Sequence, residues 1–187
     1  LIGVNLRDRI KLGAAGKVIT AFDITRMMAL GADWCNAGRG FMMALGCIQA
    51  QTCHTGNCPT GVTTQDGVRQ QALVVPDKAT RVAQVHKSTL HALQELVQAV
   101  GLKHPCELNA HHIVRRISDT EVRLLSNLLL QVRPGALLDD LAHQHDVFRT
   151  YWPLASAESF QPLSQPHVKP SAPADHQDMV PQASATP

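Results

Sequence analysis

The chain has 187 residues, 44% of them hydrophobic, which is enough for one domain with a buried core. A formal net charge of +2 and an aromatic content of 4% give no electrostatic or stacking basis for nucleic-acid binding. No segment approaches the roughly 20 apolar residues that a membrane-spanning helix needs, so we expect no membrane span.

The first residue is Leu1, inside an apolar segment, and no basic-then-apolar signal peptide precedes it. We therefore expect that the chain is cut from a longer protein. An odd number of cysteines without a secretory signal argues against a disulfide framework and predicts a reducing compartment, the cytoplasm. The five are Cys35, Cys47, Cys53, Cys58 and Cys106.

The first strand–turn–helix unit is predicted near the start of the chain. The apolar run 10–14 is typical of a buried parallel strand and is followed by a turn of small residues. Thr20 and Asp23 match a capping box, which predicts that a helix begins after Thr20 and stops at Gly31. Residues 18–20 are also strand-like, so a strand there remains an alternative.

A second unit of the same kind follows. Residues 32–36 form the next candidate strand, residues 37–40 a second turn of small residues, and residues 41–45 can begin another helix. Alternating strands and helices are typical of βα units on a parallel sheet, which places residues 1–46 in the α/β class.

Residues 47–67 change character, because Cys, Gly, Thr, Gln, Asn and Pro dominate and no hydrophobic period survives. A loop of this length in a compact domain is usually functional or disordered. Three of the five cysteines lie in twelve consecutive residues of this loop, which favours a functional role.

Residues 68–135 are predicted to be mainly helical. Asp77 is a candidate cap for a long helix that Gly101 ends. Ser118 and Glu121 match a second capping box, which predicts another helix after it.

Two segments complete the chain. Residues 136–160 are expected to form a partly ordered extension. Residues 161–187 hold six of the eleven prolines and no apolar period, so we predict a disordered tail.

The pattern Cys47-x5-Cys53-x4-Cys58 is the most specific motif of the sequence. Thiolates bind soft metals, and three on one short irregular loop can converge on one centre, with Gly56 allowing a sharp turn between them. Zinc sites usually space their cysteine pairs by two to four residues, although His54 could complete a three-Cys, one-His site. Iron–sulfur, zinc and metal-free versions of this loop are all open at this point.

The two small-residue turns are candidate anion sites. A glycine-containing turn between a parallel strand and a helix presents backbone N–H groups to an anion, and each of these turns adds one cation. In a (β/α)8 barrel the last two βα loops are a common phosphate site. The candidate residues are Gly16, Lys17, Gly38, Arg39 and Gly40.

Over about residues 1–135 the chain resembles the FMN-binding glutamate synthase family, at the end of the synthase-domain barrel. The cysteine spacing is the most specific part of this resemblance. The segments that carry it are Gly16-Lys17, 19–24, 29–33, 39–42, 44–50, 58–62 and 64–66.

The resemblance implies a (β/α)8 barrel of which residues 10–14 are strand seven and 32–36 strand eight, with the first six strands before Leu1. It further implies FMN, with its phosphate at the two small-residue turns, and a three-iron (3Fe–4S) cluster. The residues that match the family's cluster ligands are Cys47, Cys53 and Cys58.

The implied reaction forms glutamate from 2-oxoglutarate and an ammonia equivalent, with electrons passing through the cluster and the flavin. Expected partners are the 2-oxoacid and an electron-donor protein or NAD(P)H-linked subunit. The flavin-ring and 2-oxoacid contacts would lie before Leu1, so no catalytic residue is assigned and this chain alone is expected to be inactive. Two positions depart from the family pattern: Ala15 replaces a common Ser, and Gly67 replaces a Pro. The alternative function is a non-catalytic, zinc-stabilised binding module.

Overall fold

The computed structural model describes residues 1–163. The chain divides into two compact parts, with the boundary between Asp139 and Asp140. Of the predicted disordered tail (161–187), residues 164–187 lie outside the described residues.

The first compact part opens with two βα units. These are β1 (Gly13–Ala15) with α1 (Ala21–Ala29) and β2 (Trp34–Asn36) with α2 (Gly38–Leu45). The two strands pair in parallel, with Gly13 opposite Trp34. The predicted alternation of strand and helix is confirmed, and the mixed α/β class with it.

Both strands are shorter than predicted, and residues 10–12 lie outside β1. The N–H of Leu12 donates to the Asp33 carboxylate at 2.7 Å, and the Leu12 carbonyl accepts the N–H of Asp33 at 2.7 Å. The Asp33 side chain therefore replaces the backbone carbonyl that would pair with the Leu12 N–H if β1 continued through Leu12. The alternative strand over 18–20 is wrong, because left-handed backbone at Gly16 and Lys17 ends the extended conformation before it.

Helix α1 begins and ends where the sequence predicts. The Thr20 hydroxyl accepts the N–H of Asp23 at 3.2 Å, and the Asp23 carboxylate accepts the N–H of Thr20 at 2.9 Å. Gly31, with a φ of 106°, follows the last turn. The capping box and the glycine stop are both confirmed.

Helix α2 corrects the predicted turn over 37–40. Its first residue is Gly38, so Gly38, Arg39 and Gly40 form the first helical turn instead of a loop. The helix has Ala37 at its N-cap position and no side-chain cap, which is why the sequence carries no start signal there. Gly46, with a φ of 109°, ends it.

Two helices follow the cysteine loop: a short one, α3 (Gly67–Gln70), capped by Asp66, and a long one, α4 (Val75–Ala99). Asp77 lies within the first turn of α4 and is not its cap: the N-cap residue is Val74, three residues earlier, and Pro76 occupies the first turn.

The predicted helix after Ser118 is wrong. Strands β3 (Val114–Arg116) and β4 (Val122–Leu124) form an antiparallel hairpin instead. The Ser118 hydroxyl does accept the N–H of Glu121, at 3.1 Å, but the N–H of Ile117 donates to the Glu121 carbonyl at 2.9 Å and closes a hairpin turn. The first hydrogen bond is common to a capping box and to this turn, so it could not separate them.

The remaining helices are short. Helix α5 (Ala136–Asp139) ends the first compact part, and α6 (Asp146–Tyr151) belongs to the second. No helix within residues 1–163 is long and apolar enough to cross a membrane.

The core lies where α4 packs against α1 and α2. Its buried side chains are Ala21, Met28, Leu93, Val97 and Leu108. A smaller cluster of Ala29, Ile113 and Leu125 packs the hairpin region against the end of α1. Helix α4 thus packs against the helices of both βα units.

Candidate functional site

The three cysteines of the loop line one small concavity. Cys47 directly follows Gly46, the C-cap residue of α2. Cys53 begins a short 3₁₀ helix (Cys53–Thr55), and Cys58 lies three residues after it. The structure therefore brings together the three residues that the sequence motif singled out.

Left-handed backbone winds the loop around this concavity. Gln49 and Gln51 have φ values of 58° and 60°, and Gly56 and Gly61 have values of 74° and 77°. This conformation costs free energy for a residue with a side chain such as glutamine. Such strain is typical of loops whose backbone is shaped for a ligand.

Cys58 has the most polar support among the three. It is buried, with 6% of its surface exposed, and its Sγ lies 3.5 Å from the Thr60 hydroxyl. Hydrogen bonds from that hydroxyl, and from the backbone of Thr63 and Thr60, lower the pKa of Cys58 to about 6. A thiol with this pKa is largely thiolate at neutral pH, the form that binds metal.

The supporting threonines were missed by the sequence reasoning. Thr60 and Thr63 line the same concavity as the cysteines. The only signal for them was the threonine-rich run that follows Cys58 and Pro59. Nothing in their spacing distinguishes them from ordinary turn residues.

Cys47 and Cys53 differ in their surroundings. The N–H of Gln49 donates to Cys47 Sγ at 3.4 Å, so the loop backbone supports this sulfur. Cys53 is exposed. The loop thus provides one buried thiol, one half-buried thiol and one open to solvent.

The three candidate donors are all thiols, the ligand type that iron–sulfur clusters use. Within residues 1–163, no three His, Cys, Asp or Glu side chains lie close enough together to hold one metal ion. His54, the fourth ligand of a zinc site, does not line the concavity.

The other two cysteines lie elsewhere. Cys35 is half-buried in β2, where burial raises its pKa, and Cys106 is exposed in a 3₁₀ helix (Pro105–Glu107). Neither lines the concavity.

The five candidate phosphate residues lie in two adjacent segments. Gly40 lies against the preceding βα connection, where a Cβ would be 3.4 Å from the Ile19 Cα. Gly16 and Gly38 instead face open space, with no atom within 4 Å of where a Cβ would be. The close packing brings the start of α2 against the segment that follows Lys17.

The two helix N-termini differ in what already occupies them. The carboxylate and hydroxyl of the capping box occupy the start of α1, whereas α2 has no side-chain cap. Lys17 and Arg39 form no ion pair within the described residues. The sequence reasoning treated both N-termini as open. The Thr20–Asp23 capping box was the signal that one of them is closed.

A sequence model of the family described as a conserved region in glutamate synthase matches residues 1–103, more than half of the chain. The chain belongs to the glutamate synthase family. The matched region contains both βα units, the cysteine loop and all of α4.

Individual glutamate synthase relatives agree. The chain is 40% identical over 126 residues to the glutamate synthase large subunit-like protein YerD of Bacillus subtilis, covering 67% of this chain and 24% of that protein. It is 36% identical over 97 residues to the archaeal glutamate synthase (NADPH) of Methanocaldococcus jannaschii, covering 52% and 19%. It is 31% identical over 140 residues to the large chain of glutamate synthase (NADPH) of Azospirillum brasilense, covering 70% and 9%. The chain thus spans about a quarter or less of these proteins' lengths.

Proposed function

We propose that this chain forms part of a glutamate synthase-type oxidoreductase that makes glutamate from 2-oxoglutarate and an ammonia equivalent. Electrons would reach the reaction through a 3Fe–4S cluster and FMN, from an electron-donor protein or an NAD(P)H-linked subunit. The observation that carries the proposal is the convergence of Cys47, Cys53 and Cys58 on one concavity in a member of this family.

Cys47, Cys53 and Cys58 would hold the cluster. When bound, an iron–sulfur cluster supplies one-electron transfer. The chain's own contribution is a thiolate at Cys58, a backbone N–H to the sulfur of Cys47, and a loop already wound into shape. Three thiolates on one loop favour a three-iron cluster, since a four-iron cluster normally takes four.

The phosphate of FMN would lie at the start of α2. This placement is supported by uncapped N–H groups, by open space at Gly16 and Gly38, and by the side chains of Lys17 and Arg39, which form no ion pair within residues 1–163. Gly40 would contribute by keeping α2 close to the first βα connection.

Residues 1–46 would be the last two βα units of a (β/α)8 barrel. Within the described residues, β1 and β2 pair only with each other, so each strand has an open edge that further barrel strands would cover. The 2-oxoacid contacts would come from those further units. All five cysteines are free thiols, which supports a cytoplasmic location.

The experiment is an assay of the whole protein that contains this chain, purified without oxygen. We expect bound FMN, bound iron and reductant-dependent conversion of 2-oxoglutarate to glutamate. Iron and flavin without glutamate formation would refute the substrate assignment and leave the cofactor assignment standing. A preparation with neither cofactor would refute both.

A further inference from the structure

The Thr63 hydroxyl is buried and has no hydrogen-bond partner within the described residues. Leaving a buried hydroxyl unpaired costs free energy, so such a group in a folded protein calls for an explanation. Thr63 lines the concavity of the three cysteines, which is where a missing partner would lie.

A second threonine hydroxyl lines the same concavity. Thr60 Oγ1 is 3.5 Å from Cys58 Sγ, within the range of a hydrogen bond to sulfur. Cys58 is the one buried thiol of the three. A metal-bound thiolate has no proton to donate, so a hydroxyl that faces it acts as the donor.

On the basis of the proposed function, we propose that Thr60 and Thr63 are positioning residues: the Thr60 hydroxyl donates to the Cys58 sulfur, the Thr63 hydroxyl donates to sulfur at the cluster site, and both raise the reduction potential of the cluster. A reduced cluster carries one more negative charge than an oxidised one. Hydrogen bonds to its sulfur ligands therefore stabilise the reduced form more strongly, which raises the potential.

Burial makes Cys58 the ligand at which side chains can act most strongly. Cys53 is exposed, so water replaces any hydrogen bond lost at that sulfur. Cys47 accepts the backbone N–H of Gln49, which side-chain substitution leaves in place. At the buried Cys58 the local dielectric is lower, and each hydroxyl contributes more.

The test is a potentiometric titration of the cluster in the whole protein, followed by electron paramagnetic resonance. We expect Thr60→Val and Thr63→Val each to lower the one-electron reduction equilibrium constant about tenfold, equivalent to about 59 mV. Thr60→Ser and Thr63→Ser keep the hydroxyl and should restore the wild-type potential.

Thr55→Val is the matched control. The Thr55 hydroxyl donates to the Thr52 carbonyl at 2.8 Å and does not line the concavity, so its loss perturbs the loop without touching a sulfur. We expect no change in potential for this variant.

An unchanged potential in both valine variants would overturn the inference, as would an equal decrease in Thr55→Val. If one valine variant does not retain the cluster, the other decides, since each hydroxyl is tested alone. A wild-type protein without an iron–sulfur signal would instead refute the proposed cluster on which the inference rests.

Discussion

The two βα units share a plan but differ in how completely they satisfy their own polar groups. In the first unit, Thr20 and Asp23 cap the start of α1, and the Asp33 carboxylate accepts the N–H of Leu12 next to β1. The second is open at its start. Helix α2 has no side-chain cap there, and it ends at Gly46, directly before Cys47.

This difference indicates where ligands are to be expected. A capped helix start has its N–H groups and its dipole already paired with a carboxylate, so little remains for an outside anion. An uncapped start keeps both available. We therefore expect ligand binding to depend on the second unit and the cysteine loop, and stability to depend on the first.

The largest expected effect is at the cysteine loop. Cys58→Ser removes the buried thiolate, and we expect the whole protein purified without oxygen to lose nearly all its bound iron. Cys106→Ser changes an exposed thiol outside the concavity and should keep wild-type iron content. Equal iron retention in both variants would remove Cys58 from the ligand set.

The start of α2 should come next. Arg39→Ala is expected to weaken FMN binding by about 1–3 kcal/mol, because it removes a charge-assisted hydrogen bond to the phosphate. The effect of Lys17→Ala should be smaller, since Lys17 precedes the helix start that Asp23 already occupies. Flavin retention measured by absorbance after dialysis distinguishes the two. Unchanged retention in both variants would rule out this phosphate site.

At the capped start of α1 we expect a substitution to change stability and to leave FMN binding unchanged. Thr20→Ala should lower the local opening free energy of α1 by about 1 kcal/mol, the usual cost of losing a cap, with FMN binding unchanged. Hydrogen exchange of the α1 amides measures the first and flavin retention the second. A loss of FMN in this variant would show that the two helix starts do not differ as described.

The smallest expected effect is a loss of stability at acidic pH. The Arg7 guanidinium and the N–H of Leu12 lower the pKa of Asp33 from 3.8 to about 2. A carboxyl with a lowered pKa contributes stability above its ordinary value and loses that contribution as the pH falls toward the folded-state pKa. The stability difference between wild type and Asp33→Asn should therefore shrink between about pH 4 and pH 2. A difference that stays constant over that range would contradict this role of the ion pair.

Capping residues and glycines in the sequence correctly predicted helix ends that depend only on neighbouring residues. The start and end of α1 depend on Thr20, Asp23 and Gly31, all within the helix or next to it. The end of α4 near Gly101 follows the same logic. The three cysteines also lie on one short loop, so their convergence needed no long-range information.

The predictions failed where no single residue distinguishes one structure from another. Helix α2 begins without a capping residue, so no residue marks its start. The hairpin after Ser118 uses one of the hydrogen bonds of a capping box, and Ile117 with Glu121 decides between hairpin and helix. The role of Thr63 depends on burial beside Cys58, which spacing along the chain does not reveal.

One measurement tests the central claim, that the open second unit leads into an iron–sulfur site. Iron, acid-labile sulfide and zinc are determined in the whole protein purified without oxygen, together with its electron paramagnetic resonance spectrum. The account predicts three irons per chain and a three-iron signal that survives Cys35→Ser and Cys106→Ser. One zinc per chain, or a four-iron signal lost in either variant, would contradict it.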